Sequence, residues 1–178
     1  MNSQPHITLF AVQSLDGYIG YPGQSTIDWR SNVDARSFTA FLDRLGKKGV
    51  IVVGHNTYKL VQKRLSKRNC IVLTRSVGTT QRKGKKLLLW NPNNIPFSKV
   101  IGEYRRIALL GGSETYGYFL EYGLIDEIRL TIEPVVFGSG LRLFDCQVGM
   151  IKDFHLTSFK AKQETVFLRY RRLTRAHI

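Results

Sequence analysis

Apolar residues follow two rhythms along the chain. Short continuous runs recur at HITLFAV (6–12), GVIVV (49–53), CIVL (70–73), LLLW (87–90) and IALL (107–110), each stopped by glycine or polar residues. Runs of this length between turn residues read as strands buried on both faces. Between them the period changes. Phe38, Phe41, Leu42 and Leu45 fall at i, i+3, i+4 and i+7, so residues 29–45 read as one core-facing helix ending around Gly46. Asn56-Thr57 opens a shorter helix, TYKLVQKRL, and residues 114–122 make a third, closed by Gly123. From Glu127 to Glu133 the rhythm is two: Ile128, Leu130 and Ile132 face one way, Arg129, Thr131 and Glu133 the other. Two last runs, 154–161 and 165–171, read as a hairpin. The remainder reads as connections: a Pro22-Gly23 turn, a basic linker over 78–86, a helical turn near 97–103 and a glycine-containing excursion from Pro134 to Leu143.

Strands alternating with helices imply an α/β protein with a mostly parallel sheet covered on both faces. The terminal hairpin makes that sheet mixed. The expectation is a three-layer αβα sandwich forming one domain over residues 1–178, without repeats or low-complexity tracts.

Composition changes this picture little, and charge changes it more. Hydrophobic residues are 43% and charged residues 22%, ordinary for a globular protein. No apolar run approaches the ~20 residues that span a bilayer, and no signal peptide is visible, so a cytoplasmic protein without membrane contact is expected. Cys70 and Cys146 make neither a disulfide framework nor a metal motif, and no metal site is expected. Against this, 27 Lys+Arg face 13 Asp+Glu, a net charge of +14. The basic clusters at 63–68, 82–86 and 169–175 are dispersed, and no nucleic-acid-binding signature accompanies them. A solvated basic surface is favoured over a nucleic-acid site, with a basic nucleic-acid-associated protein as the non-enzyme alternative.

Candidate chemistry sits in two places. Asp34 lies on the apolar face of the first helix, four residues before Phe38. An acid there is either satisfied locally or used chemically. Ser31-x-x-Asp34 fits a capping box, which is the local reading. Elsewhere, strands end in GHNT (54–57), TRS (74–76) and GGSET (111–115). In open α/β sheets ligands sit at strand carboxyl ends, and helix N-termini there present N–H groups to phosphates. Helix starts at Thr57 and Ser113 can clamp a pyrophosphate, with Arg75 placed for a further phosphate, which points to NADPH rather than NADH. The alternative is that Gly111 and Gly112 only make a tight turn and His55 is an idle loop imidazole.

These segments together resemble a known family. SLDGYIG (14–20), Trp29-x4-Asp34, VVGHNTY (52–58), IVLTRS (71–76), LLGGSETYGYFL (109–120) and GLIDEIRLTIEPVVFGSGLRLF (123–144) follow in order over nearly the whole chain. The sequence is similar to the dihydrofolate reductase-like family, in the branch shared with the reductase domain of bacterial riboflavin-pathway deaminase-reductases. The resemblance implies an NADPH-dependent oxidoreductase. Asp34 matches the buried acid that holds the pterin and assists its protonation, and Thr131 the residue hydrogen-bonded to that acid. Substrate contacts are implied for Phe10, Val12, Asp34, Phe38, Val61, Leu65 and Arg68, the last matching the arginine that pairs with the α-carboxylate of folate. Cofactor contacts are implied for Val12, for Ile19 and Gly20 beside the nicotinamide, and for Gly54, His55, Asn56 and Thr57. The same holds for Thr74, Arg75 and Ser76, and for Gly111, Gly112, Ser113, Glu114, Thr115 and Tyr116.

The departures bear on the substrate. His55 stands where the family usually has an arginine, leaving Arg75 for the 2′-phosphate, and Ser113 replaces a Gly or Ala. Riboflavin-pathway reductases carry an acid before the glycine pair and an arginine after SLDG, where this chain has Leu110 and Tyr18. Yet residues 123–144 and the ending FLRYRR resemble that branch. The expected reaction is hydride transfer from NADPH to a pterin-like heterocycle, dihydrofolate first. The alternative is 5-amino-6-(5-phosphoribosylamino)uracil. The resemblance also raises a homodimer, since relatives often pair.

Overall fold

The computed structural model describes residues 4–21, 28–146 and 152–173. In chain order they form β1 (His6–Gln13), β2 (Tyr18–Gly20), α1 (Asn32–Asp43), β3 (Gly49–Gly54), α2 (His55–Leu65), β4 (Cys70–Leu73), β5 (Thr80–Lys83) and β6 (Leu87–Trp90). After a 3₁₀ turn (Phe97–Lys99) come β7 (Arg106–Leu109), α3 (Ser113–Glu121), β8 (Glu127–Ile132), β9 (Leu141–Arg142), β10 (Phe154–Lys162) and β11 (Thr165–Arg172).

Nine strands join in the order β10-β11-β8-β1-β7-β3-β4-β6-β5. The six from β8 to β6 run parallel, whereas β11, β10 and β5 add antiparallel edges. β3 shows why helices cover both faces. Val50 and Val52 pack with Phe119 and Leu120 of α3 and with Trp90, while Ile51 and Val53 pack with Phe41 and Leu42 of α1 and Leu65 of α2. A strand whose successive side chains are all apolar needs a cover on each side. The result is the expected three-layer α/β sandwich with a mixed sheet and a C-terminal hairpin.

Three details differ from the expected elements. The basic stretch 78–86 contains β5, which pairs antiparallel with β6. Its residues, TQRK, are exposed throughout, so no apolar period marks it. The excursion after Pro134 contributes β9, which pairs with β2 as a separate two-stranded sheet. The helix begins at Asn32, after Trp29 and Arg30. The expected Pro22-Gly23 turn and the end of the 169–175 basic cluster lie outside the described residues.

Topology places a crevice. β7 lies between β1 and β3, so the chain leaves β1 for α1 and β7 for α3 on opposite sides of the sheet. The carboxyl ends of these three strands open at such a switch point.

Candidate functional site

Ser31 fixes the first wall of that crevice. Its hydroxyl accepts the Asp34 N–H at 3.1 Å, an N-cap contact, and donates to Glu133 Oε1 at 2.8 Å. The Ser31 N–H also donates to Glu133 Oε1, at 2.9 Å. The capping box is therefore half formed. The reciprocal bond comes from Glu133, just past the end of β8, and the Asp34 carboxylate is left free of capping.

That carboxylate is fully buried and lines a cleft with about 970 Å³ of empty space. Neither of its oxygens accepts a hydrogen bond of ordinary length. Burial holds its pKa above the usual aspartate value. The neighbouring Thr131 hydroxyl and the Arg30 guanidinium pull the other way, and the Glu133 charge adds to the rise. An acid so placed retains a proton at higher pH than a surface aspartate does.

Aromatic and aliphatic side chains make the rest of the wall. Phe10 and Phe38 meet with ring centroids 5.1 Å apart, and both line the cleft with Val12, Ile19 and Val61. β2 brings Ile19 and Gly20 to its mouth, held there by β9, whose Leu141 also lines it. Phe38, on the helix stripe, is only partly buried because its ring edges the cleft.

The second half of the site lies where α2 and α3 begin. Gly54 N–H donates to the Gly111 carbonyl at 2.6 Å, locking the ends of β3 and β7 together. A Cβ at Gly54 would lie 2.6 Å from Thr115 Oγ1, and one at Gly112 would lie 3.3 Å from Thr57 Oγ1. Both helices lack a side-chain cap at their N-termini. Their first-turn N–H groups therefore point at the same gap without a side-chain partner. His55 Nδ1 and Ser113 Oγ are buried there without hydrogen-bond partners. The Tyr116 hydroxyl donates to the Phe10 carbonyl at 2.7 Å and ties α3 to the aromatic wall of the cleft. The Gly111–Gly112 peptide is cis.

Several expected contacts lie elsewhere. Arg68 donates to the Leu42 carbonyl at 2.8 Å and to Asp43 at 2.5 Å, and it lines a different depression from Asp34. It is a brace between α1 and the end of α2, not a cleft residue. Leu65 is buried in the core under α1. Thr74, nearly buried, shares a 2.9 Å hydrogen bond with Ser76, which shapes the turn after β4. Arg75 is 73% exposed and pairs with Glu114 at 3.1 Å, bridging that turn to the first turn of α3. Asn56 is exposed on α2, and Thr115 is buried against Gly54.

Arg30 and Glu133 escaped the sequence reading. Arg30 lies in the turn before α1, yet it lines the cleft beside Asp34. The signal was the i, i+4 spacing of the two opposite charges. The alternation puts Glu133 on a polar strand face. In the structure Glu127, Thr131 and Glu133 are buried, while Arg129 between them stays half-buried at the edge of a groove. A larger basic groove of about 1150 Å³ runs along the other flank of α1, lined by Arg36, Lys160 and Lys162, with Arg129 and Arg169 engaged by Glu127.

Comparison with known proteins follows the same lines. The sequence model of dihydrofolate reductase matches residues 6–133, and that of the RibD C-terminal domain matches residues 101–168. YwjB of Bacillus subtilis (strain 168) is 27% identical over 143 residues, 76% of this chain and 80% of its own. Among solved structures, a pyrimidine reductase-like protein of Corynebacterium diphtheriae superposes with a TM-score of 0.73 at 15% identity, covering 95% of this chain and 92% of that one. Dihydrofolate reductase of Enterococcus faecalis, in complex with NADP(H) and RAB-propyl, gives 0.69 at 18% identity, covering 97% and 99%. At these identities the superpositions bear on the fold.

Proposed function

The chain belongs to the dihydrofolate reductase family, and from that premise we propose an NADPH-dependent reductase that reduces a C=N bond in the ring of a pterin-like heterocycle, or on the substituent of a pyrimidine, seated against Asp34. One observation carries this reading. A fully buried carboxylate whose oxygens accept no hydrogen bond shares a cleft with the glycine pair that opens α3.

The residues at the two helix starts fit a dinucleotide. Gly54 and Gly112 leave the backbone bare where a Cβ would crowd Thr115 and Thr57. The uncapped helix starts and the unpartnered His55 and Ser113 atoms offer polar groups to phosphate oxygens. Arg75, exposed at the end of β4, is the candidate for the 2′-phosphate. When bound, the reduced nicotinamide supplies a hydride. The chain supplies the remainder. Phe10 and Phe38 exclude water from the ring, Ile19 and Gly20 close the mouth, and Asp34 with its raised pKa orients the ring and favours a proton at the imine nitrogen. In a dihydropterin the ring imine carbon gains the hydride and its nitrogen the proton. In the phosphoribosylaminouracil the ribose ring first opens to an imine between C1′ and the exocyclic nitrogen, and C1′ then gains the hydride and that nitrogen the proton. Either way a saturated C–N bond results.

Two substrates deserve direct comparison. Arg68 is tied to Leu42 and Asp43 and does not wait for a folate tail. This observation counts against a folate tail held at Arg68, while the dihydrofolate reductase match over 6–133 and the RibD C-terminal match over 101–168 bring both substrates to the test. The test is NADPH consumption with each substrate, for the wild type and Asp34→Asn. Turnover of one substrate, lost about a hundredfold in the variant while NADPH still binds, is the expected result. No turnover of either substrate, or an undiminished variant, sinks the reading.

A further inference from the structure

Asp34 does not face the cleft alone. Arg30 Nη1 lies 3.6 Å from Asp34 Oδ2. The Arg30 side chain is 11% exposed, and its guanidinium carbon sits 5.4 Å from the Phe38 ring centroid. Cation, carboxylate and aromatic ring thus share one wall of the cleft. The contact is an ion pair, longer than an ordinary hydrogen bond. Among the described residues the Arg30 guanidinium makes no hydrogen bond, and both Asp34 oxygens are buried without one. Buried polar groups in this condition are satisfied by a ligand or by water.

The pair defines what a ring edge must offer. A free carboxylate accepts two adjacent N–H donors, the pattern of an amino-substituted amidine. With a guanidinium beside Oδ2, the second donor of such an edge meets another donor. An N–H next to a carbonyl fits both groups: the N–H donates to Asp34 and the carbonyl accepts from Arg30. A site built to pair with both groups penalises a ring that leaves one unpaired.

We propose that Arg30 is the specificity-determining residue of this cleft, and that the Arg30–Asp34 pair selects heterocycles presenting an N–H beside a carbonyl over those presenting two adjacent donors. Pyrimidinediones carry such an edge. A pterin meets the pair only through its N3–H and 4-oxo side. This rests on the reductase reading of the same cleft.

The test uses two small rings, 5,6-diaminouracil and 2,4-diaminopyrimidine, titrated calorimetrically into the wild type, Arg30→Met and Arg30→Lys. The wild type is expected to bind the diaminouracil at least tenfold more tightly. Arg30→Lys keeps that order and Arg30→Met reverses it. Equal or opposite preference in the wild type, an order unchanged by Arg30→Met, or binding of neither ring overturns the proposal. Should Arg30→Met fail to fold, the wild-type preference decides. NADPH binding, measured separately, reports on the reductase reading. Loss of ring preference with NADPH bound removes only the role of Arg30, and ring preference without NADPH binding removes only the reductase.

Discussion

Asp34 works against the stability of the structure that holds it. Its folded pKa is raised, chiefly by burial, above the ordinary 3.8. Between that ordinary value and the raised one, the folded state binds more protons than the unfolded state. Stability therefore falls as pH rises through this window and stays lower above it. The difference in urea midpoint between wild type and Asp34→Asn should shift against the wild type as pH rises across that range, because only the wild type carries this component. A wild-type stability that rises there through Asp34 would make the carboxylate a stabilising ion-pair member instead. Glu133 offers a second handle, because its charge helps to raise the Asp34 pKa. Glu133→Gln removes the charge and keeps the carbonyl oxygen for Ser31, with the amide NH2 donating to the Thr165 hydroxyl in place of Oε2. If protonated Asp34 is the active form, the alkaline limb of kcat/KM should move to lower pH in this variant. A limb that does not move assigns it to another group. Arg75 makes an exposed pair of small energetic weight with Glu114. Arg75→Ala should weaken NADPH binding about tenfold, the scale of one charge-assisted contact, and leave NADH binding unchanged. Equal loss for both would remove the 2′-phosphate role.

At the scale of elements, the meeting of β3–α2 with β7–α3 decides whether a dinucleotide fits. Gly54→Ala puts a methyl 2.6 Å from Thr115 Oγ1, between two buried strand ends. Overpacking of this kind costs about 1–3 kcal/mol. The variant should lower both the unfolding midpoint and NADPH affinity, and adding Thr115→Ala should recover part of each. No recovery would place the damage outside this contact. Both junctions were legible in the sequence, because apolar runs ending in GHNT and GGSET carry strand, turn and helix start in a few residues. The buried Asp34 was legible too, from its place on the Phe38–Leu45 stripe. What was not legible lacked a local signal. β5 is polar on every side, and β9 is two residues long and exists only through pairing with β2. Arg68 matched a family position, yet nothing in the sequence shows that Asp43 captures it. The burial of Thr131 and Glu133 comes from β11 pairing beside their strand and from Ser31 and Thr165 closing on Glu133, none of which the strand alone announces.

At the scale of the whole molecule, a polar knot ties the C-terminal hairpin to the head of α1. Thr165 Oγ1, at the start of the C-terminal hairpin, donates to Glu133 Oε2 at 3.0 Å, and Glu133 holds Ser31 at the head of α1. The hairpin thus fixes the helix that carries Asp34, although 134 residues separate Ser31 from Thr165. Around this frame the chain carries +14, and among the described residues no helix is long and apolar enough to cross a membrane. A polyphosphate cofactor approaching such a surface is attracted before contact, and salt shortens the reach of that attraction to about 10 Å at 0.1 M. Arg30 lines the cleft, close enough to Arg64 for the two charges to repel, and Arg75 stands by the first turn of α3. The attraction therefore comes from the net charge of the whole surface rather than from Arg30, which is paired with Asp34. Raising ionic strength should lower kcat/KM for NADPH steeply, lower it less for NADH, which has one phosphate fewer, and leave kcat unchanged. Steering acts on encounter and not on the bound complex, so a fall in kcat itself would point to salt loosening the site. A kcat/KM indifferent to salt would mean that the charge serves something other than cofactor capture, and a steep salt-dependent affinity for DNA would then identify it.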